Sequence, residues 1–167
     1  MSGSGKNFKN KVTLAHILLA CRHFGEIRQA GISENLAIRT LELFVDVYAK
    51  VHHGGSPAPH HVDQVLLWSL AARELRRLNP DIKPKDYLRV EHGTPRRGLA
   101  RKILELYEGN RLTEETLQDA VQKFWKLAVI TIEEDQALNK NYRSKVYDCP
   151  DDRWAAAGIK FDDLDNK

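Results

Sequence analysis

The sequence predicts a mainly α-helical protein, a single-domain bundle of about six helices with at most a short strand or hairpin near residues 86–92. Apolar residues recur at helical spacing through most of the chain, with capping residues before these stretches and Gly or Pro after them. Only one short segment alternates apolar and polar residues as a half-buried strand does. The composition, 42% hydrophobic and 29% charged, is typical of a folded domain. We therefore expect one helical domain over 12–160, between flexible tails at 1–11 and 161–167.

Two helices are predicted before residue 55. Thr13 caps the first helix and Gly31 ends it, since glycine readily adopts the left-handed conformation that terminates helices. The apolar stripe of this helix comprises Leu14, Ile17, Leu18, Cys21 and Phe24. Ser33 caps the second helix, and Gly54 lies beyond its end. Its stripe comprises Ala37, Leu41, Phe44, Val45 and Tyr48. The Gly/Pro-rich linker at 52–59 is the clearest break in the chain, but neither side of it has the core of an independent domain, so we expect one domain.

A third helix and a strand are predicted in the middle of the chain. The helix runs from about His60 to Asn79, where the following proline prevents continuation. Its apolar positions are Val62, Val65, Leu66, Leu70 and Leu75. Residues 87–92 alternate Leu88 and Val90 with charged neighbours, which indicates a half-buried strand.

Three further helices follow the strand. Thr94 is the expected cap of the fourth helix and Pro95 its first residue, and Gly109 ends it. Thr113 caps the fifth helix, whose buried stripe comprises Leu117, Val121, Phe124 and Trp125. Residues 131–134 form a capping box, which predicts a short sixth helix.

The charge distribution is more informative than the net charge of +3. Residues 73–102 contain ten basic and four acidic side chains, whereas residues 103–139 contain eight acidic and three basic ones. This asymmetry predicts a bipolar surface whose basic side could meet phosphate or the acidic face of a protein. The alternative is an ordinary solvated helix face.

Several classes of protein are disfavoured by the sequence. No apolar run approaches the roughly 20 residues of a membrane span. Two cysteines do not make a disulfide framework. The first residues lack the features of a secretory signal, so we expect a cytoplasmic protein without a membrane partner.

The most suggestive segment is residues 91–97, where Glu91 and His92 stand just before a helix N-terminus. Unpaired backbone N–H groups and the positive end of the helix dipole attract phosphate there. His92 and Glu91 would then be placed for proton transfer or metal binding. The alternative is structural: Thr94 merely caps, Glu91 pairs with a neighbouring arginine and His92 fills a turn.

Residues 91–95, E-H-G-T-P, resemble the opening of the HNH nuclease motif. The resemblance implies that His92 is the general base and Glu91 a possible metal ligand. More loosely, V-E-H-x-x-P, then I-T-x-E-E-D-x-x-L at 130–138 and an arginine-containing segment ending in A-G-I at 157–159, resemble small bacterial proteins of uncharacterised function. That second resemblance implies no activity.

Together these features predict a nucleic-acid-binding protein, in its stronger form a small nuclease acting on phosphodiester bonds of DNA or RNA. The catalytic residues would be Glu91 and His92. The predicted phosphate-binding residues are Thr94, Arg96, Arg97, Arg101, Arg73 and Arg77, with Arg76 beside them. Residues 133–135 could join the catalytic pair around a divalent cation.

Two alternatives remain open. One is a non-catalytic protein-interaction module, such as an immunity, adaptor or assembly protein. The other is an enzyme acting on a small phosphorylated molecule. A second basic segment carries Lys140, Arg143 and Lys145 interleaved with Tyr142 and Tyr147, a composition that suits single strands or a solvated loop.

Overall fold

The computed structural model describes residues 12–54 and 60–162. It confirms a mainly helical fold with a small two-stranded antiparallel sheet. The chain divides into two compact units, residues 1–58 and 59–167, and the boundary lies in the Gly/Pro-rich linker. The tail predicted at 1–11 lies outside the described residues, as do residues 163–167. Phe161, within the second predicted tail, forms an antiparallel bridge with Ser69.

The first unit is a small helical assembly. Its helices are α1 (Leu14–Gln29), α2 (Glu34–Ala37) and α3 (Arg39–Gly54), and α1 packs against the other two. Thr13 precedes α1, and its backbone N–H donates to His16 Nδ1 at 3.0 Å. Gly31 has a φ of +86°, the left-handed conformation expected of a helix-ending glycine. The predicted second helix is divided at Ile38 into α2 and α3, and Gly54 is the last residue of α3 instead of lying beyond its end.

The second unit surrounds the sheet. Its elements are a 3-10 turn (Val62–Gln64), α4 (Leu70–Leu78), a second 3-10 turn (Pro84–Asp86), β1 (Leu88–His92), α5 (Arg96–Glu108), α6 (Glu114–Phe124), β2 (Leu127–Thr131), α7 (Ile132–Tyr142) and α8 (Pro150–Ala156). β1 and β2 are antiparallel, with Leu88 opposite Thr131 and His92 opposite Leu127. One buried cluster at the sheet consists of Leu67, Ala128, Ile130, Leu138, Trp154 and Ile159.

The predicted third helix is wrong in its first half, because α4 begins at Leu70 and residues 65–69 are mostly extended. Ser69 N–H donates to Val129 O, and Val129 N–H donates to Leu67 O, both at 2.9 Å. Burial alternates along this segment, with Leu67 buried and Leu66 93% exposed. The apolar spacing of the segment also fits a helix, so the sequence pattern alone did not distinguish a helix from an extended segment.

The missed element is β2, whose five residues are all buried. It lies between β1 on one side and the extended Leu67–Ser69 segment on the other. A strand covered in this way is a continuous apolar run without alternation.

None of the helices in the described residues is long and apolar enough to cross a membrane.

A polar network joins the start of α7 to the start of α4. Thr131 Oγ1 accepts a hydrogen bond from Glu134 N–H at 3.0 Å, and Glu134 Oε2 accepts one from Thr131 N–H at 2.9 Å. This confirms the predicted capping box. Glu134 Oε2 also accepts from the hydroxyl of buried Ser69 at 2.6 Å, and Ser69 Oγ in turn accepts from Ala72 N–H, which caps α4. One carboxylate therefore connects two helix N-termini.

We predict that Glu134→Ala lowers the free energy of unfolding by about 2 kcal/mol, because two hydrogen bonds to a charged group are lost and Ser69 keeps an unsatisfied buried hydroxyl. The matched control is Glu133→Ala, which removes an exposed carboxylate from the same helical turn. The control should change stability by about 0.5 kcal/mol or less. Urea unfolding of both variants measures the difference, and equal effects would contradict the proposed role of Glu134.

Candidate functional site

Glu91 and His92 lie at the end of β1, but they contact different partners. Successive side chains of a strand point to opposite faces of the sheet. Glu91 Oε1 accepts a hydrogen bond from Arg153 at 3.0 Å, whereas the ring of His92 stands edge-on to Trp125, with 6.1 Å between ring centroids. The structure therefore does not bring these two side chains together as a pair facing one substrate.

Arg153 of α8 explains where Glu91 points. Its side chain is only 2% exposed. Its guanidinium donates to Glu91 Oε1, to the His92 carbonyl at 2.7 Å and to the Tyr142 carbonyl at 3.0 Å. A buried cation is stable only with a counter-charge and acceptors of this kind. Glu91 thus pairs with an arginine, as the structural interpretation of residues 91–97 predicted. That arginine, Arg153, is 62 residues away in the chain.

The start of α5 differs from the prediction. The helix begins at Arg96 with Pro95 in the capping position, so Thr94 is not the cap and Pro95 is not the first helical residue. Thr94 is 4% exposed, and no hydrogen-bond partner of its Oγ1 is present among the described residues. Pro95 has a ψ of 136°, which is extended, so the helical conformation begins only at the next residue.

The chain from 146 to 154 packs against the beginning of α5. A Cβ on Gly93 would lie 2.5 Å from Pro150 Cβ and 3.1 Å from Trp154 Cη2. A Cβ on Gly98 would collide with Val146 Cγ2. Both glycines are therefore needed for the chain from 146 to 154 to approach this closely. This chain covers one side of the N-terminus of α5.

Three arginines lie along the first turns of α5. Arg96 and Arg101 are exposed and Arg97 is half-buried. We call Arg96, Arg97 and Arg101 the basic turn. The first turn of α5 contains no acidic residue, as is also true of α1 and α4, whereas α6, α7 and α8 each begin with two or three acidic residues. Cations at the positive end of a helix dipole are unfavourable for the helix itself.

The predicted phosphate-binding residues on α4 have acidic or polar partners. Arg73 contacts Asp162 at 3.5 Å. Arg77 donates two hydrogen bonds to Glu74, at 2.6 and 2.9 Å, and these hold the pKa of that carboxyl below its usual value. Arg76 donates to the Tyr87 hydroxyl at 3.2 Å. α4 packs against β2 whereas α5 packs against α6.

No group of three or more metal-ligating side chains occurs within the described residues 12–54 and 60–162. The carboxylate of Glu134 is bound by Ser69 and Thr131, and that of Asp135 accepts from Asn139 at 2.9 Å. The HNH pattern requires a loop asparagine and a second metal-binding histidine or asparagine within about thirty residues of the first histidine, whereas no histidine follows His92 and Asn110 is the only nearby candidate. Of the acids at 133–135, Glu134 and Asp135 thus have local partners, and Glu133 is exposed.

Comparison with known proteins gives no assignment. No known protein family, no curated protein and no solved structure matches the chain. The roles of individual residues consequently follow from the contacts described above. The residue that sequence reasoning missed is Arg153, and a lone arginine beside Trp154 in a short helix was its only local signal.

We predict that Glu91→Ala lowers the free energy of unfolding by about 3 kcal/mol, because it leaves the buried Arg153 guanidinium without its counter-charge. The matched control is Asp151→Ala, which breaks the more exposed pair that Asp151 forms with Lys126 at 2.8 Å. That pair should contribute about 1 kcal/mol or less. Thermal or urea unfolding distinguishes the two, and a Glu91 variant as stable as the control would rule out the structural role.

Proposed function

We propose that the protein binds nucleic acid along the phosphate backbone through the basic turn. The observation that carries this proposal is three arginines within six residues, at the positive end of a 13-residue helix whose first turn has no acidic residue. Arg96 and Arg97 in the first turn oppose the helix dipole, so the dipole does not account for their position. Clustered cations at such a position are what binding to a polyphosphate backbone requires.

The guanidinium groups are better placed for this binding than the backbone amides of the helix. Val146 packs against Gly98 in the first turn of α5, Pro150 and Trp154 pack against Gly93 just before the helix, and Thr94 is buried. Arg96 and Arg101, in contrast, are exposed. Arginine side chains can also form paired hydrogen bonds with phosphate oxygens, which gives them orientation as well as charge.

The nuclease form of the proposal assigns proton transfer to His92. This residue ends β1 and lies four positions before Arg96. Its imidazole is half-exposed, so a substrate phosphate bound at the basic turn could approach it. Glu91 would act indirectly, by fixing the end of β1 through Arg153. The protein-interaction alternative requires neither phosphate binding nor a role for His92.

We predict that the protein binds labelled DNA or RNA with an affinity that decreases steeply with salt, because each phosphate contact releases counterions. The double variant Arg96→Gln/Arg101→Gln should weaken binding and lower the slope of log K against log salt by about 1.4–1.8. Fluorescence anisotropy over a salt series measures both quantities.

The matched control is Arg22→Gln/Arg39→Gln, which removes the same charge from exposed positions on α1 and α3. It should leave the slope nearly unchanged. If the control weakens binding as much as the basic-turn variant, the attraction is nonspecific. If the unmodified protein binds no nucleic acid at low salt, the proposed function is wrong and the protein-interaction alternative is favoured.

We predict that any phosphodiester cleavage by the protein falls by about a hundredfold or more in His92→Ala, because a positioned general base contributes that much. Nucleic-acid binding should be preserved. The control His23→Ala changes an exposed histidine on α1 and should retain full cleavage. Gel analysis of labelled DNA and RNA tests this, and cleavage by both variants at the unmodified rate would remove His92 from the catalytic hypothesis.

A further inference from the structure

We propose that the ligand is a single-stranded nucleic acid, bound jointly by the basic turn and by the 143–147 loop that Val146 holds against Gly98 of α5. This inference rests on the proposed function and specifies its substrate class. The sequence places the two basic segments more than forty residues apart. Their juxtaposition is visible only in the fold.

The contact between Gly98 and Val146 brings the loop to the helix. Gly98 has no side chain, so Val146 lies against the helix where a Cβ would collide with its Cγ2. Gly98 is adjacent to Arg97 and nearly one turn from Arg101. Lys145 and Tyr147 flank Val146, and neighbouring Cα atoms are about 3.8 Å apart. Both loop side chains therefore start close to the basic turn.

The loop supplies the groups that single strands use. Arg143 and Lys145 are exposed cations, and Lys145 Nζ lies 5.0 Å from the ring centroid of Tyr142. Tyr147 is half-exposed beside the Val146 contact. Proteins that bind single strands combine a basic track for the backbone with aromatic rings on which bases stack. The basic turn would hold phosphates while Tyr147 stacks on a base.

The surroundings of α5 favour a single strand over a duplex. Reading a duplex in its major groove requires a helix with a free face. One side of α5 is covered by the chain from 146 to 154, and another side is buried through Leu99, Ile103 and Leu104. The exposed residues of α5 are Arg96 and Arg101 near its start and Glu105 and Glu108 toward its end, so its exposed basic surface is confined to the first turns. Unstacked bases of a single strand can reach Tyr147, whereas paired bases cannot.

The test compares oligothymidylate with a mixed-sequence duplex of the same length by fluorescence anisotropy. We expect the single strand to bind at least about tenfold more tightly, the amount expected from stacking one base. Tyr147→Ala should weaken single-strand binding by about tenfold while leaving duplex binding unchanged. Tyr147→Phe keeps the ring and should bind as the unmodified protein does.

A second pair of variants tests the placement of the loop. Gly98→Ala should displace Val146 from α5 and weaken single-strand binding by severalfold. Adding Val146→Ala should restore binding, because the clashing Cγ2 is removed and the two Cβ atoms would lie at an ordinary 3.7 Å. Thermal unfolding verifies that each variant is folded, and a Gly98→Ala protein that fails to fold leaves the Tyr147 pair as the deciding experiment.

The outcomes separate the two proposals. Tighter single-strand binding that depends on the Tyr147 ring supports the inference. Duplex binding of equal strength, with Tyr147→Ala harmless and Arg96→Gln/Arg101→Gln damaging, overturns the inference and leaves the proposed function in place. Absence of binding to either nucleic acid overturns both.

Discussion

The buried guanidinium of Arg153 is the interaction on which the arrangement of the second unit depends. It joins α8 to the end of β1 through Glu91 and His92, and to the end of α7 through the Tyr142 carbonyl. An arginine this deeply buried costs far more free energy unpaired than paired, so these three acceptors restrict α8 to one position. Because Pro150 and Trp154 belong to the same helix, the ion pair also places them over Gly93, just before α5. The Arg153–Glu91 ion pair therefore also fixes which side chains cover Gly93.

The helices were predictable because their signals are local. Thr113 and Thr131 accept hydrogen bonds from backbone N–H groups three residues later, and such caps can be recognised from the sequence alone. The strand β2 and the extended Leu67–Ser69 segment were not recognised for the opposite reason. Their conformation depends on pairing with each other and with β1. A short apolar run fits a buried strand as well as a helix, and only the partner decides between them.

The candidate site shows the same division between local and distant information. The arginines of α5 could be assigned to a helix start from Pro95 and the helical spacing that follows. The partner of Glu91 could not, because Arg153 lies 62 residues away and carries no capping or periodic signal. Gly98 is a partial exception. A glycine inside a helix lowers its stability by about 1 kcal/mol, which suggests a close approach by another segment, though not which one. The structure identifies that segment as Val146.

The electrostatics of α5 connect the fold to the proposed ligand. Arginines at the first turn of a helix add positive charge where the dipole is already positive, and each costs about 0.3–1 kcal/mol when it is exposed. A phosphate at this place interacts favourably with the guanidinium groups and with the dipole together. The proposed binding would therefore relieve a repulsion between the arginines and the helix dipole and would add new attraction. An acidic residue in the first turn, as in α6 and α7, would relieve the same repulsion within the protein. In the proposed complex, a polyphosphate chain would supply several such charges along Arg96, Arg97 and Arg101.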